Sequence, residues 1–169
     1  MLRVAAGVAL VALQRLLELK LSRRNERILR SHGAVERGQG HYPVMVATHT
    51  LWLLSTFAEG TLRGNKKAHP IPLAAFLLAQ PLRYWAILSL KEKWNTRILV
   101  VPGEKLVESG PYRYIRHPNY LAVAVEILTF PLIFGARTTA VVFSIVNVAL
   151  LRARIREENR ALAELAKHR

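Results

Sequence analysis

Gly110-Pro111-Tyr112-Arg113-Tyr114-Ile115-Arg116-His117-Pro118-Asn119-Tyr120 runs directly into the apolar stretch 121–134. This juncture decides the fold, because a cationic, aromatic loop meets the start of a hydrophobic helix. A helix start presents unpaired backbone N–H groups and a partial positive charge to an anion. Pro118 suits the first helical turn, where its missing N–H would have had no partner. Arg113, Arg116 and His117 add positive charge around the same point. The chemistry reads as an anion-friendly pocket at a membrane surface. The plainer alternative is a basic loop that holds a helix against lipid headgroups.

The surrounding chain sharpens that reading. Its 169 residues fit one domain, 1–169. The formal charge is +14, yet 51% of the residues are hydrophobic. A basic soluble domain would suggest nucleic acid, but here the apolar residues fall in blocks with the charges between them. The blocks are 6–13, 44–57, 70–90, 121–134 and 138–151. A bilayer core takes about 20 apolar residues, or fewer with local thinning and flanking anchors. The expectation is therefore an all-α, polytopic membrane protein with about five transmembrane helices. They fall at 2–21, 43–58, 70–90, 118–134 and 137–151, before a C-terminal cytosolic helix at 152–167. Gly33, Gly38, Gly40, Pro43, Gly60, Gly64, Pro70, Pro102, Gly103 and Gly110 punctuate the joins. Pro81 and Pro131 lie inside apolar blocks and predict kinks covered by neighbouring helices.

The absence of cysteine excludes disulfides, thiolate catalysis and Cys-based metal sites. Arg3 ahead of an apolar stretch has the look of a secretory leader. However, the segment runs on into Gln14-Arg15-Leu16-Leu17-Glu18-Leu19-Lys20 with no small-residue exit. Orientation follows from loop cations. Arg23, Arg24, Arg27, Arg30 and Arg37 form one group, and Lys91, Lys93, Arg97, Lys105, Arg113 and Arg116 a second. Arg152, Arg154, Arg156, Arg160, Lys167 and Arg169 form the third. Alternation puts all three on one side, against Arg3, Arg63, Lys66, Lys67 and Arg137 on the other. The N-terminus is expected outside and the C-terminus in the cytosol, so the opening motif and the tail share the cytosolic face.

The motif resembles the signature of the isoprenylcysteine carboxyl methyltransferase family, integral-membrane enzymes that use S-adenosylmethionine. The pattern Gly-Pro-Tyr-x-x-x-Arg-His-Pro-x-Tyr is filled at every fixed position. The likeness extends through Trp94-Asn95-Thr96-Arg97-Ile98, Val101-Pro102-Gly103, Glu126, Pro131, Arg154-Ile155 and Glu158, roughly half the chain. The front half, with Arg15, Glu18, Arg24-Asn25, Gly33, Glu36, His41-Tyr42 and His49, resembles a bacterial branch. Members of that branch O-methylate long-chain alkylresorcinols and alkylpyrones.

The resemblance implies a bacterial cell-membrane enzyme with its active site facing the cytosol. It implies that Arg116, His117, Pro118 and Tyr120 bind S-adenosylmethionine, with Tyr112 and Gly103 as further walls. Arg154 and Glu158 lie four apart, hence on one helix face. Carried over, Arg154 orients the acceptor, and Glu158 binds the cofactor's amino group; these two are the candidate catalytic residues. Asn159 stands where the family often has a second Glu, and Glu157 points about 100° away on a helix. Read without the resemblance, Arg154 and Glu158 form a solvated pair, His117 caps a helix and Gly103 sits in a Pro-Gly turn.

Glu126 falls roughly 12 Å into its helix. A carboxylate at that depth should face the protein interior and be paired, and Arg83 is a candidate partner. Glu126, Arg15, Glu18, His41 and His49 are the candidate acceptor-site residues. Glu126 reads equally as an interhelical tie, and Arg15 and Glu18 as the end of a helix meeting water. The eight-residue spacing of His41 and His49 does not suit a metal on one helical turn, so no metal is expected. The acceptor expected is a lipid with a phenolic or pyrone hydroxyl, with a prenylcysteine carboxylate as the runner-up and phospholipid N-methylation third. Rival classes are an NADPH-dependent membrane reductase, which shares an Arg-His-Pro-x-Tyr stretch, and a non-enzymatic basic membrane subunit.

Overall fold

The structure, a computed structural model, describes residues 1–63 and 68–166, with side chains through residue 163. Gly64, Lys66, Lys67, Lys167 and Arg169, which entered the loop and charge reading, lie outside the described residues. The elements in chain order are α1 (Leu2–Ser31), β1 (Val35–Arg37), α2 (His41–Leu62), α3 (Pro70–Leu90), β2 (Ile98–Val100), α4 (Pro118–Ile133) and α5 (Arg137–Ala166). Short 3₁₀ turns cover Lys91–Lys93 and Gly110–Arg113.

Three elements differ from the sequence expectation. First, α1 does not stop at residue 21. Its C-terminal half is amphipathic: Ser22, Asn25 and Leu29 are buried, while Arg23, Arg24, Arg27 and Arg30 are exposed. The arginines mark a polar helix face, where the sequence suggested a loop. Second, the expected fifth membrane helix and cytosolic tail helix are one helix, α5, because no Gly or Pro interrupts 137–166. Third, the fold is mostly helical but carries a small antiparallel pair. In it, Val35 faces Val100, Glu36 faces Leu99 and Arg37 faces Ile98. Strands of three residues, far apart in sequence, leave no alternation to detect.

Among the described residues, two stretches, Pro70–Lys93 and Arg137–Ala163, are long and apolar enough to cross a membrane. α4 is apolar but shorter. The expectation of five spans thus narrows, by length and hydropathy, to two. α1 falls short because Arg15, Glu18 and the arginines that follow interrupt its apolar run.

Packing is built on α4. It lies between α3 and α5, and α2 joins α5 and α1. Trp52, Phe76, Ile127, Phe130 and Ile133 form the core with Val11 and Val123. The Trp52 indole is fully buried, and its Nε1 donates to the Ile127 carbonyl at 3.1 Å. In an apolar setting that donor needs a partner, and Pro131, which has no N–H to give, leaves the Ile127 carbonyl free to supply it. Its ring tilts against Phe130 at 5.4 Å between centroids.

Glu59 closes the end of the bundle remote from the motif. It accepts from the Thr138 and Thr139 N–H groups and from the Thr139 hydroxyl, which caps α5. α4 ends there in a Schellman motif: Gly135 has φ +77°, and the Ala136 N–H bonds to the Pro131 carbonyl. That tight turn lets α5 start immediately and run back to the opposite end.

Candidate functional site

At that opposite end lies a cleft of about 670 Å³, a volume suited to a small ligand. The signature loop and the start of α4 supply Tyr112, Arg116, His117, Asn119 and Tyr120. The second half of α5 supplies Arg154 and Glu158 from one face. The loop 93–108, with Trp94 and Arg97, closes the other side.

Tyr120 organises the polar floor. Its hydroxyl donates to Glu158 Oε2 at 2.6 Å and accepts from Arg154 Nε at 2.8 Å. Arg154 and Glu158 therefore meet through a phenol between them. The His117 ring stacks on Tyr120 at 5.3 Å, and its Nδ1 lies 3.8 Å from Glu158 Oε2. Burial, and then the negative charge of Glu158, push the Tyr112 phenol above its ordinary value, so it stays a neutral hydroxyl at working pH. Arg154 is buried, whereas Arg116 is exposed at the rim. Of the residues expected around a cofactor, Tyr112, Arg116, His117, Tyr120 and Glu158 thus share one cavity, together with Arg154, expected to orient the acceptor. Pro118 is buried behind it as the first residue of α4. Gly103 is exposed in the loop and outside the cleft lining.

α1 fixes the outer wall. Asn25 Nδ2 donates to the Trp94 carbonyl at 2.7 Å and to the Lys91 carbonyl at 3.1 Å. Ser22 Oγ accepts from the Thr96 N–H at 3.0 Å, and Asn95 Nδ2 donates to the Ser22 carbonyl at 2.9 Å. These bonds satisfy backbone groups that an irregular loop would otherwise leave unpaired. They also place the Trp94 side chain, only 3% exposed, in the cleft wall.

Gly110 lets the signature loop approach α3. It has φ +62°, and a Cβ there would overlap the Ser89 side chain and press on the Trp85 indole. Gly110→Ala is expected to destabilise by about 1–3 kcal/mol through strain and overpacking. Thermal unfolding of the purified protein in detergent checks this.

The β1–β2 pair carries an ion network beneath the cleft. Glu36 accepts from Arg97 Nη1 at 2.6 Å and from Arg30 Nη2 at 2.5 Å, and Arg97 lies over the Tyr42 ring at 4.0 Å. Burial alone would raise the Glu36 carboxyl, but the two arginines outweigh it and hold it below its ordinary range. A carboxylate lowered on folding stabilises the fold above its unfolded pKa and loses that contribution as pH falls through the folded value. The melting difference between wild type and Glu36→Gln is thus expected in full at pH 7 and to shrink below about pH 4.3.

A second polar cluster lies inside the helical bundle. Glu126 is fully buried and accepts from Gln80 Nε2 at 2.9 Å, from Arg83 at 3.3 Å and from Arg15. Glu18 is 6% exposed and accepts from Arg83 Nε at 2.6 Å and from Arg15 at 2.8 Å. Two carboxylates and two guanidinium groups thus close a neutral box between α1, α3 and α4. Arg15 and Glu18 do not meet water at a helix end, because α1 continues past them. Arg83 is the partner of Glu126 expected from sequence. His49 sits beside the box, within electrostatic reach of Arg15, Arg83 and Glu126. Its Nδ1 donates to the Met45 carbonyl at 2.9 Å, which leaves the lone pair on Nε2. His41 is not brought to the box: it starts α2, against Gly38.

The box and the cleft are neighbours. Glu126 follows Tyr120 on α4 by six residues, a rise of about 9 Å. On α2, Met45 precedes His49 by one turn, and its Sδ lies 3.8 Å from Arg154 Nη1.

Trp94 and Asn119 line the cleft as well, and neither is among the site residues expected from sequence. Asn119 fills the unfixed position of the signature. The only signal for it was a polar residue in the first turn of an otherwise apolar helix.

The fold and the cleft define a class: a helical protein with two stretches apolar enough to span a membrane, and a cleft where an apolar helix begins, lined by Arg116, His117, Arg154 and Glu158. The family model described as the isoprenylcysteine carboxyl methyltransferase (ICMT) family matches residues 71–164, more than half of the sequence. The chain belongs to this family, and that membership suggests a membrane methyltransferase. It is 44% identical over 159 residues to the uncharacterized protein YpbQ of Bacillus subtilis (strain 168), covering 93% of this chain and 95% of that one. It is 27% identical over 168 residues to an uncharacterized protein of Haemophilus influenzae (strain ATCC 51907 / DSM 11121 / KW20 / Rd), covering 98% of each chain. No solved structure matches the chain.

Proposed function

We propose that the protein is an S-adenosylmethionine-dependent O-methyltransferase acting on a membrane-embedded lipid with a phenolic or pyrone hydroxyl. The observation that carries this is the convergence of His117, Tyr120, Arg154 and Glu158 on one cleft in a chain of this family. S-adenosylmethionine supplies a methyl group already activated on a sulfonium, so the protein's part is alignment and exclusion of water. The side chains present suit its ends. Arg116 and His117, at the positive start of α4, complement a carboxylate, and Glu158 complements an ammonium. Apolar Leu29, Leu90 and Ile98 in the wall suit the remaining ring system.

On the acceptor side, His49 Nε2, one turn along α2 from Met45, is the base that takes the proton of the hydroxyl. Arg154 reaches toward that side past Met45 and orients the acceptor oxygen. The whole motif end of the bundle then faces the cytosol, in accord with the cation count.

The test is calorimetric titration of detergent-solubilised protein with S-adenosylhomocysteine, beside His117→Ala. Saturable binding that weakens by about tenfold in the variant is the expected result. Heat protection by NADPH in its place would move the assignment to a reductase.

A further inference from the structure

One face of α1 changes character along its length. Leu10, Leu13 and Leu17 are each more than half exposed, and Lys20, Arg24 and Arg27 follow them, also exposed. Successive members of this row are three or four residues apart, so they form one continuous stripe on the helix. Leu16 and Arg23 flank the stripe and are exposed as well. α5 repeats the pattern: exposed Val141, Ile145 and Val148 lead into exposed Arg152 and Arg156. Both helices reach the β1–β2 pair, so both basic stretches lie at the cleft end of the bundle.

The fold makes no use of these cations. Arg30 binds Glu26 and Glu36, Arg97 binds Glu36, and Arg160 binds Glu157. Lys20, Arg23, Arg24, Arg27, Arg152 and Arg156, by contrast, have no ion-pair partner among the described residues. A row of unpaired cations that prolongs a row of exposed leucines matches an amphiphile with acyl chains and an anionic head. A nucleic acid or an acidic protein would match the arginines and leave the leucines unexplained.

We propose that an anionic phospholipid lies along this stripe of α1, its chains on Leu10, Leu13 and Leu17 and its phosphate among Lys20, Arg23, Arg24 and Arg27, and that it steadies the outer wall of the cleft. The link is the helix itself. The opposite face of the same two turns carries the buried Ser22 and Asn25. These hold the backbone at Trp94 and Thr96 and the side chain of Asn95. Anchoring the cationic side restricts the rocking of these turns, and the loop they hold loses the same freedom. The lipid would be held whether or not the cleft takes S-adenosylmethionine.

The test is thermal unfolding and amide hydrogen exchange of the full chain in uncharged detergent, titrated with dioleoylphosphatidylglycerol or dioleoylphosphatidylcholine. The anionic lipid should raise the melting temperature by several degrees and slow exchange of the amides at 94–100 severalfold. The zwitterionic lipid should do neither. Each Lys or Arg at an anionic surface is worth about fivefold in association. Lys20→Gln/Arg23→Gln/Arg24→Gln/Arg27→Gln should therefore raise the half-maximal lipid concentration by about a hundredfold or more, with the lipid-free melting temperature unchanged. Arg24→Gln/Arg27→Gln, expected to weaken the lipid by about 25-fold, serves if the fourfold variant does not fold. Arg63→Gln/Arg137→Gln, at the remote end of the bundle, should respond as wild type does.

Equal shifts with the two lipids, or an undiminished response in folded α1 variants, overturn the proposal. Equal stabilisation by glycerol 3-phosphate, which has the charge without the acyl chains, overturns the lipid as occupant. An equal loss in the Arg63/Arg137 variant reduces the effect to net charge and overturns the stripe. Stabilisation without slower exchange at 94–100 overturns the link to the cleft.

Discussion

Arg83→Met is expected to lower stability by about 3–5 kcal/mol, enough to leave little folded protein after extraction. The side chain is 4% exposed and holds Glu18 on α1 and Glu126 on α4. Methionine has similar length and would fill the space, so the loss is not one of volume. It comes from the two carboxylates, which would be left in an apolar interior with only Arg15 to share. A lysine in place of Arg83 keeps the charge but not the planar fork, and is expected to recover only part of the loss. Arg83→Met combined with Glu126→Gln removes one charge of each sign and should regain much of the stability. Monodispersity and thermal unfolding in detergent measure both. A stable Arg83→Met protein would show that the box contributes little to the fold.

Tyr120→Phe should cut methyl transfer to a long-chain alkylphenol by about a hundredfold while leaving the melting temperature close to wild type. The ring and its stacking on His117 remain, so the fold of the cleft remains. What disappears is the hydroxyl that sits between Arg154 Nε and Glu158 Oε2. Without it, the two charges are free to collapse on each other or to swing apart. Either movement spoils the alignment on which transfer from a sulfonium depends. The loss should fall on kcat, with binding of S-adenosylhomocysteine changed only several-fold. Loss of binding in equal measure to turnover would instead make Tyr120 a plain ligand contact.

These two residues also show what the sequence discloses. Tyr120 stood out because it closes a motif with fixed spacing, and helical periodicity alone put Arg154 and Glu158 on one face. The phenol between them was not legible, since nothing in a spacing says that side chains 34 and 38 residues further along the chain meet at the Tyr120 oxygen. Glu126 was legible as a buried carboxylate needing a partner, and Arg83 was the right candidate. The rest of the box was obscured because α1 carries charge on both its buried and exposed faces. Charge in a hydrophobic run signals either an end or an interior tie, and only packing distinguishes them. The β1–β2 pair was hidden for a different reason: three-residue strands make one ladder rung per residue and no pattern.

The undivided length of α5 has a mechanical consequence. Its first turn is clamped by Glu59 at one end of the bundle, and Arg154 and Glu158 sit near the other. From Arg137 to Arg154 the rod spans about 25 Å, close to the thickness of a bilayer's hydrocarbon core. A rod of that kind is a lever. Thicker or thinner lipid changes the tilt of a spanning helix rather than its length, so a change of lipid is expected to be felt at the cleft end. Turnover measured in bilayers of graded acyl-chain length should therefore pass through an optimum, a dependence on membrane thickness built into one uninterrupted helix.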